Sequence, residues 1–226
     1  MKKVLFVTVL ISFMFITVNA QVALSIYSGV GRSSFDKNMI KNIVNNPISD
    51  LADFSLSQAQ YVPIGAQLTY SLPFLLTFGA DVNYAVVPFT FDVSTNLLGG
   101  NKIAELKVHQ FMAGVFVKAR LLQGPIVPYA KAGAGLISGN LDINWTDQFK
   151  QLASQYGLVL NDSTINIKYA IGANLGAGAE INFGESGGLF GEIVYYFVQR
   201  EKDIKNAQSF QANSYAILVG WQFKFN

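Results

Sequence analysis

The sequence predicts an all-β fold: an eight-stranded antiparallel up-and-down transmembrane β-barrel preceded by a cleavable signal peptide. Three observations predict it. From residue 21 onward, side chains alternate between apolar and polar over long segments. Tight turns and long connections take turns between those segments. Charge is scarce as well: 13% of the 226 residues are charged and 51% hydrophobic, whereas a soluble domain carries about 25% charged residues.

Composition closes several other routes. A chain this apolar and aromatic buries surface readily, which excludes intrinsic disorder. The absence of cysteine excludes a disulfide scaffold, a thiolate metal site and a cysteine nucleophile. Past the first twenty residues no apolar run approaches the ~18 that a membrane-spanning helix needs.

Residues 1–20 read as a signal peptide. Met1-Lys2-Lys3 is a short positive start, Val4 to Val18 an apolar run, and Val18-Asn19-Ala20 a cleavage site before Gln21. Lys2 and Lys3 fall in this leader, so the mature barrel domain, residues 21–226, keeps 14 basic and 14 acidic residues. A neutral mature chain gives no reason to expect a nucleic acid partner.

Eight strands follow. The first two are Val22–Gly31 and Tyr61–Leu72. The third sets Leu76, Phe78, Ala80, Val82, Tyr84 and Val86 against Thr77, Gly79, Asp81, Asn83 and Ala85. Lys107–Leu121 is the fourth. In the fifth, Pro128, Ala130, Ala132, Ala134 and Leu136 alternate with Tyr129, Lys131, Gly133 and Gly135. The sixth shows the clearest alternation, running unbroken from Ile167 to Phe183. In the seventh, Leu189–Arg200, both faces are apolar and parity leaves inside and outside open. The eighth alternates Tyr215, Ile217, Val219, Trp221, Phe223 and Phe225 with Ser214, Ala216, Leu218, Gly220, Gln222 and Lys224.

Tight turns are expected at 72–75, 123–125 and 184–188. Long segments lie near 33–60, 92–104 and 139–165, with a shorter one near 201–208, and helical spacing appears at Lys37–Val44 and Thr146–Tyr156. Short periplasmic turns and longer external loops are the pattern of outer-membrane barrels. Both termini are therefore expected on the periplasmic side.

Backbone polar groups in hydrocarbon must be satisfied within the protein, which strands achieve only as a closed ring. Lipid then calls for apolar side chains outside, because Lys or Arg at the midplane costs about 2–4 kcal/mol. Charges consequently belong in the lumen. Counting from the tight turns brings Asp81, Lys118, Lys131, Glu180 and Glu192 to similar heights, with Arg120 just below. Buried charges left unpaired are costly, so a mutual salt-bridge and hydrogen-bond network plugging the lumen is expected. Eight strands leave room for side chains or one small ligand but not for a water channel. Small inward residues such as Gly79, Gly133, Gly135, Gly172, Gly176 and Gly178 make space for larger neighbours. Tyr70, Tyr84, Tyr169, Phe183, Tyr195, Phe197, Tyr215, Phe223 and Phe225 sit where interfacial aromatic girdles belong.

No catalytic, cofactor or metal constellation stands out. The single histidine, His109, shares parity with Phe111 and Ala113, and reads as an outward residue at the membrane boundary. No second histidine or His-x-Ser element accompanies it.

Two segments carry a family resemblance. Pro128-Tyr129-Ala130-Lys131-Ala132-Gly133-Ala134-Gly135 resembles the PY-x-K-x-G-x-G strand of the small outer-membrane β-barrel (porin-like) family. Phe190-Gly191-Glu192-Ile193-Val194-Tyr195-Tyr196 resembles its penultimate F-x-E-x-R-Y strand, with Val194 where a basic residue is common. The ending Gly220-Trp221-Gln222-Phe223-Lys224-Phe225 resembles the C-terminal signal read by the barrel assembly machinery, here followed by Asn226. Trp221, Phe223 and Phe225 would carry that signal. The resemblance implies a barrel related to the outer-membrane protein A transmembrane domain and outer-membrane protein X, in contact with outer-membrane lipid and lipopolysaccharide. The function expected is a non-enzymatic integral protein of the outer membrane, needing no cofactor, with an envelope-structural or surface-interaction role. The alternative is passage of a small or hydrophobic solute, which requires an apolar lumen entrance at the loop ends of the fifth to seventh strands.

Overall fold

The computed structural model describes residues 21–34, 53–56, 59–73, 75–94, 102–157, 159–184, 186–200, 210–211 and 213–225. The leader at 1–20 and the helical stretch expected at Lys37–Val44 lie outside the described residues. The elements are β1 (Gln21–Ser34), β2 (Asp53–Leu56), β3 (Ala59–Ser71), β4 (Leu76–Ser94), β5 (Lys102–Arg120), β6 (Ile126–Trp145), α1 (Asp147–Gln155), β7 (Ser163–Asn182), β8 (Gly187–Arg200), β9 (Phe210–Gln211) and β10 (Asn213–Phe225). No helix among them is long and apolar enough to cross a membrane.

Eight of the strands form a closed antiparallel ring. β1, β3, β4, β5, β6, β7 and β8 pair in succession, and β10 pairs with both β8 and β1. Closure leaves the ring without an edge, which is what a backbone surrounded by hydrocarbon requires. β2 and β9 stand outside the ring as short pieces, one pairing with the far end of β4 and the other with the far end of β8.

Tight turns join β3 to β4, β5 to β6 and β7 to β8. They are closed by backbone bonds such as Leu72 N–H to Leu76 O and Phe183 N–H to Gly187 O. Gly184 takes the left-handed conformation (φ 71°) that the last turn needs. The register pairs Gln21 with Ser71 and Val22 with Phe225, so the first and last strands begin and end at this same short-turn end.

Parity sorts the side chains as expected. On β10, Ser214, Ala216, Leu218 and Gln222 are buried while Tyr215, Ile217, Val219, Trp221, Phe223 and Phe225 are exposed. β8, ambiguous in sequence, resolves with Phe190, Glu192, Val194, Tyr196 and Val198 inward and Leu189, Ile193, Tyr195 and Phe197 outward. An apolar girdle of this size would be an aggregation surface in water. Around a bilayer it is the required solvent contact.

The lumen is filled by aromatics set against glycines. Tyr27, Tyr61, Phe116, Tyr129 and Phe190 point inward, directly across the ladder from Gly65, Gly31, Gly79, Gly178 and Gly220. A Cβ at any of these glycines would run into the facing ring. Each ring therefore occupies the space that its facing glycine leaves open, and the narrow interior is filled.

Two expectations need correction. The segment 139–165 is not one long loop: β6 continues to Trp145, α1 occupies Asp147–Gln155, and β7 resumes at Ser163. Alternating residues such as Leu141 and Ile143, buried between exposed Asn140 and Asn144, extend the strand beyond the membrane. The alternation from Ile167 is also not unbroken. The β6–β7 register slips between Ile137/Gly139, so that Ile137 faces Ala170 but Gly139 faces Ile167. The extra residue on β7 reverses parity above that point and exposes Asn166 and Thr164.

Candidate functional site: the lumen network

The inward charges of β5, β6, β7 and β8 meet in the half of the lumen nearer the tight turns. Lys118 on β5 and Lys131 on β6 are directly opposed in the ladder, an arrangement that repels unless each cation is answered. Each is. Lys118 Nζ donates to Glu180 Oε1 at 3.3 Å, and Lys131 Nζ donates to Glu192 Oε1 at 2.9 Å. All four side chains are essentially inaccessible.

Secondary structure explains the reach. Lys131 and Tyr129 lie on β6, and Glu192 lies two strands away on β8. The intervening β7 offers Gly176 opposite Lys131 and Gly178 opposite Tyr129. With no side chain in the way, Lys131 crosses β7 to one carboxylate oxygen of Glu192, and the Tyr129 hydroxyl donates to the other at 2.9 Å. Glu180 likewise takes a second donor, Arg120 Nη2 at 3.3 Å, and the same Arg120 nitrogen donates to Ser71 Oγ at 2.9 Å. Arg120 thus ties β5 to both β3 and β7.

The aromatic rings complete the site. Lys118 Nζ stands 4.5 Å from the Tyr129 ring centroid and Lys131 Nζ 4.4 Å from that of Phe116, so the ring faces share the cationic charge. Tyr129 shares its strand face with Lys131, but periodicity alone did not mark it as a ligand of Glu192. The bare glycines between them were the available signal.

Asp81 is buried in the same lumen but forms no ion pair among the described residues. Neither of its carboxylate oxygens has a hydrogen-bond partner among the described residues, and the same holds for both polar side-chain atoms of Gln67, its direct partner across the ladder. The expected pairing therefore joins Lys118, Arg120, Lys131, Glu180 and Glu192 and leaves Asp81 beside it. Trp221, Phe223 and Phe225 are outward and exposed near the short-turn end.

Above the charges the lumen changes character. Val87, Leu106, Val108, Ile137, Leu141, Ile143, Val194 and Val198 form one buried apolar cluster, and Trp145 with Phe149 of α1 packs against it. The rings of Trp145 and Phe149 stack at 5.7 Å. Lys150 of α1 holds Asp162 at 2.9 Å, and that contact, with the Trp145 N–H, keeps the Asp162 carboxyl below the usual carboxylate range.

His109 lies on the outer wall, as its parity predicted. Its Nε2 is 3.1 Å from Asp142 Oδ2 and its Nδ1 is 2.7 Å from the Tyr84 hydroxyl. A proton on Nε2 satisfies Asp142 and leaves Nδ1 to accept from Tyr84. No group of three or more His, Cys, Asp or Glu side chains with metal-holding geometry occurs among the described residues.

No protein-family model and no curated protein matches the chain. Solved structures do. Neisserial surface protein A (NspA) superposes with a TM-score of 0.53 at 13% identity, over 90% of this chain and 97% of that one. A major outer membrane protein from Thermus thermophilus gives 0.49 at 12% identity over 91% and 99% of the two chains. The outer membrane protein OprG from Pseudomonas aeruginosa gives 0.47 at 14% identity over 90% and 96%. Together with the ring closure and the apolar girdle, the first of these likenesses identifies the fold: the chain is a small eight-stranded β-barrel of the outer-membrane type.

Proposed function

We propose that the protein is a non-enzymatic integral component of the bacterial outer membrane, with a sealed lumen and a structural or surface-interaction role. The observation that carries this reading is the pair of carboxylates buried in the lumen, each joined to a buried lysine two strands away. Removing one partner of such a pair costs about 3–5 kcal/mol of stability, so the paired charges hold the lumen filled rather than open to ions. In this reading residues 1–20 are removed on export, residues 21–226 form the barrel, and both termini face the periplasm. Trp221, Phe223 and Phe225 serve as the assembly signal recognised by the barrel assembly machinery, and the outer wall meets lipid and lipopolysaccharide.

Planar-bilayer recording tests the seal. The wild-type protein should show no steady openings. Lys118→Ala, which leaves Glu180 to Arg120 alone and removes the cation over the Tyr129 ring, should produce flickering current. Large steady openings in the wild type would contradict the seal.

A second reading rests on the apolar upper lumen, where Leu141, Ile143, Val198 and Leu106 line the loop-end interior. It is the surface that passage of a hydrophobic solute toward a lateral exit would use. Uptake of an apolar tracer by liposomes that carry no ionic current would favour it.

A further inference from the structure

Between the ion pairs and the apolar upper lumen lies a shelf of bare backbone. Gly114 on β5 faces Gly135 on β6 across the ladder, and Gly133 precedes Gly135 by two residues on the same inward face. Two side chains lean over this shelf from opposite sides. Asp81 on β4 is the direct partner of Gly114, and its Oδ1 lies 3.2 Å from where a Gly114 Cβ would stand. Asn174 on β7 is the direct partner of Gly133, and its Oδ1 lies 2.9 Å from where a Gly133 Cβ would stand. Gln67 on β3 flanks Asp81 on its other side.

All three are more than nine-tenths buried, Asp81 at 3%, Asn174 at 4% and Gln67 at 0% exposed. Both Asp81 oxygens, Asn174 Oδ1 and Gln67 Oε1 lack a hydrogen-bond partner among the described residues. Four orphan oxygens in one layer of a native interior call for a bound group.

Charge decides which group. Three lumen cations face three carboxylates, but unevenly. Glu180 takes both Lys118 and Arg120, and Lys131 answers Glu192. Arg120, 19% exposed, stands toward the tight-turn mouth. Among the described residues Asp81 has no cation within salt-bridge distance, and an unanswered buried carboxylate is costly. One added positive charge balances it, whereas a divalent ion overshoots a single carboxylate. A carboxylate joined by neutral amide oxygens is a hard ligand set that can replace the hydration shell of such an ion.

We propose that this shelf holds one monovalent metal ion of the sodium or potassium class, ligated by the Asp81 carboxylate and the Asn174 amide oxygen. Gln67 Oε1 stands beside them, and water completes the shell. That water also accepts from Asn83 Nδ2, an orphan donor two residues along β4. The ion is then part of the filling of the lumen, and the stability of the barrel depends on it.

Urea titration in phosphatidylcholine vesicles, read by heat-modifiable migration, tests this with sodium, potassium and choline chloride at one ionic strength. Replacing choline by sodium or potassium should raise the folding equilibrium constant of the wild type about tenfold. Its logarithm should approach a slope of about one against the logarithm of cation concentration, as for a single ion bound only by the folded state. Asp81→Asn, which keeps the shape and removes the charge, should abolish the response. Asn174→Leu removes one oxygen and leaves the charge; it should weaken the response, and it serves if Asp81→Asn does not fold. A wild type indifferent to the cation, as water alone or a proton on Asp81 would leave it, overturns the proposal. So does a response that persists undiminished in either variant, since the ion would then sit elsewhere.

Discussion

Glu192→Ala should destabilise the folded barrel by about 3–5 kcal/mol, the largest effect expected of any single lumen substitution. Glu192 is buried, and its two oxygens take Lys131 Nζ and the Tyr129 hydroxyl at 2.9 Å each. Alanine would leave an ammonium and a phenol in an interior with nothing to replace the lost acceptor. Urea titration in lipid vesicles, followed by heat-modifiable migration, reads the change. Replacing Lys131 and Glu192 together by methionine should restore most of the loss, because a matched apolar pair leaves no orphan charge. A loss below about 1 kcal/mol in the single variant would mean that the pair is solvated.

Val219→Arg should cost about 2–4 kcal/mol in the same titration, and Tyr215→Arg about 0–1 kcal/mol. Val219 is 58% exposed and lies near the middle of the outward ladder that runs from Phe225 to Tyr215. In a water-soluble barrel an arginine replacing an exposed valine changes stability by no more than about 0.5 kcal/mol. The depth gradient between the two positions therefore belongs to a wall that faces hydrocarbon. Equal costs at both would deny it.

The ring itself was legible because parity is a strong signal wherever one face meets lipid: β4, β6 and β10 read directly. It fell silent on β8, where Val194 and Val198 are apolar yet inward, since the upper lumen is itself apolar. It misled at Ile167, because a single bulged residue on β7 leaves the sequence pattern intact while reversing the faces. The charges of the lumen could be placed by counting from the turns, but their partners could not. Lys131 reaches Glu192 because Gly176 and Gly178 leave β7 bare between them, a relation among three strands that no single strand displays. Asp81 had the right height, and the packing around Lys131 and Glu192 satisfied those two without it.

Fluorescence quenching by lipids brominated at mid-chain tests the central claim most directly. The chain holds only two tryptophans, Trp145 and Trp221, so both can be changed to phenylalanine and one reporter introduced. In vesicles, Val219→Trp should be strongly quenched by the brominated acyl chains. Phe190→Trp, inward and buried against Gly220, should keep its intensity. Equal quenching at the two positions, or none at either, would contradict a barrel whose outward side chains meet lipid and whose inward ones fill a closed lumen.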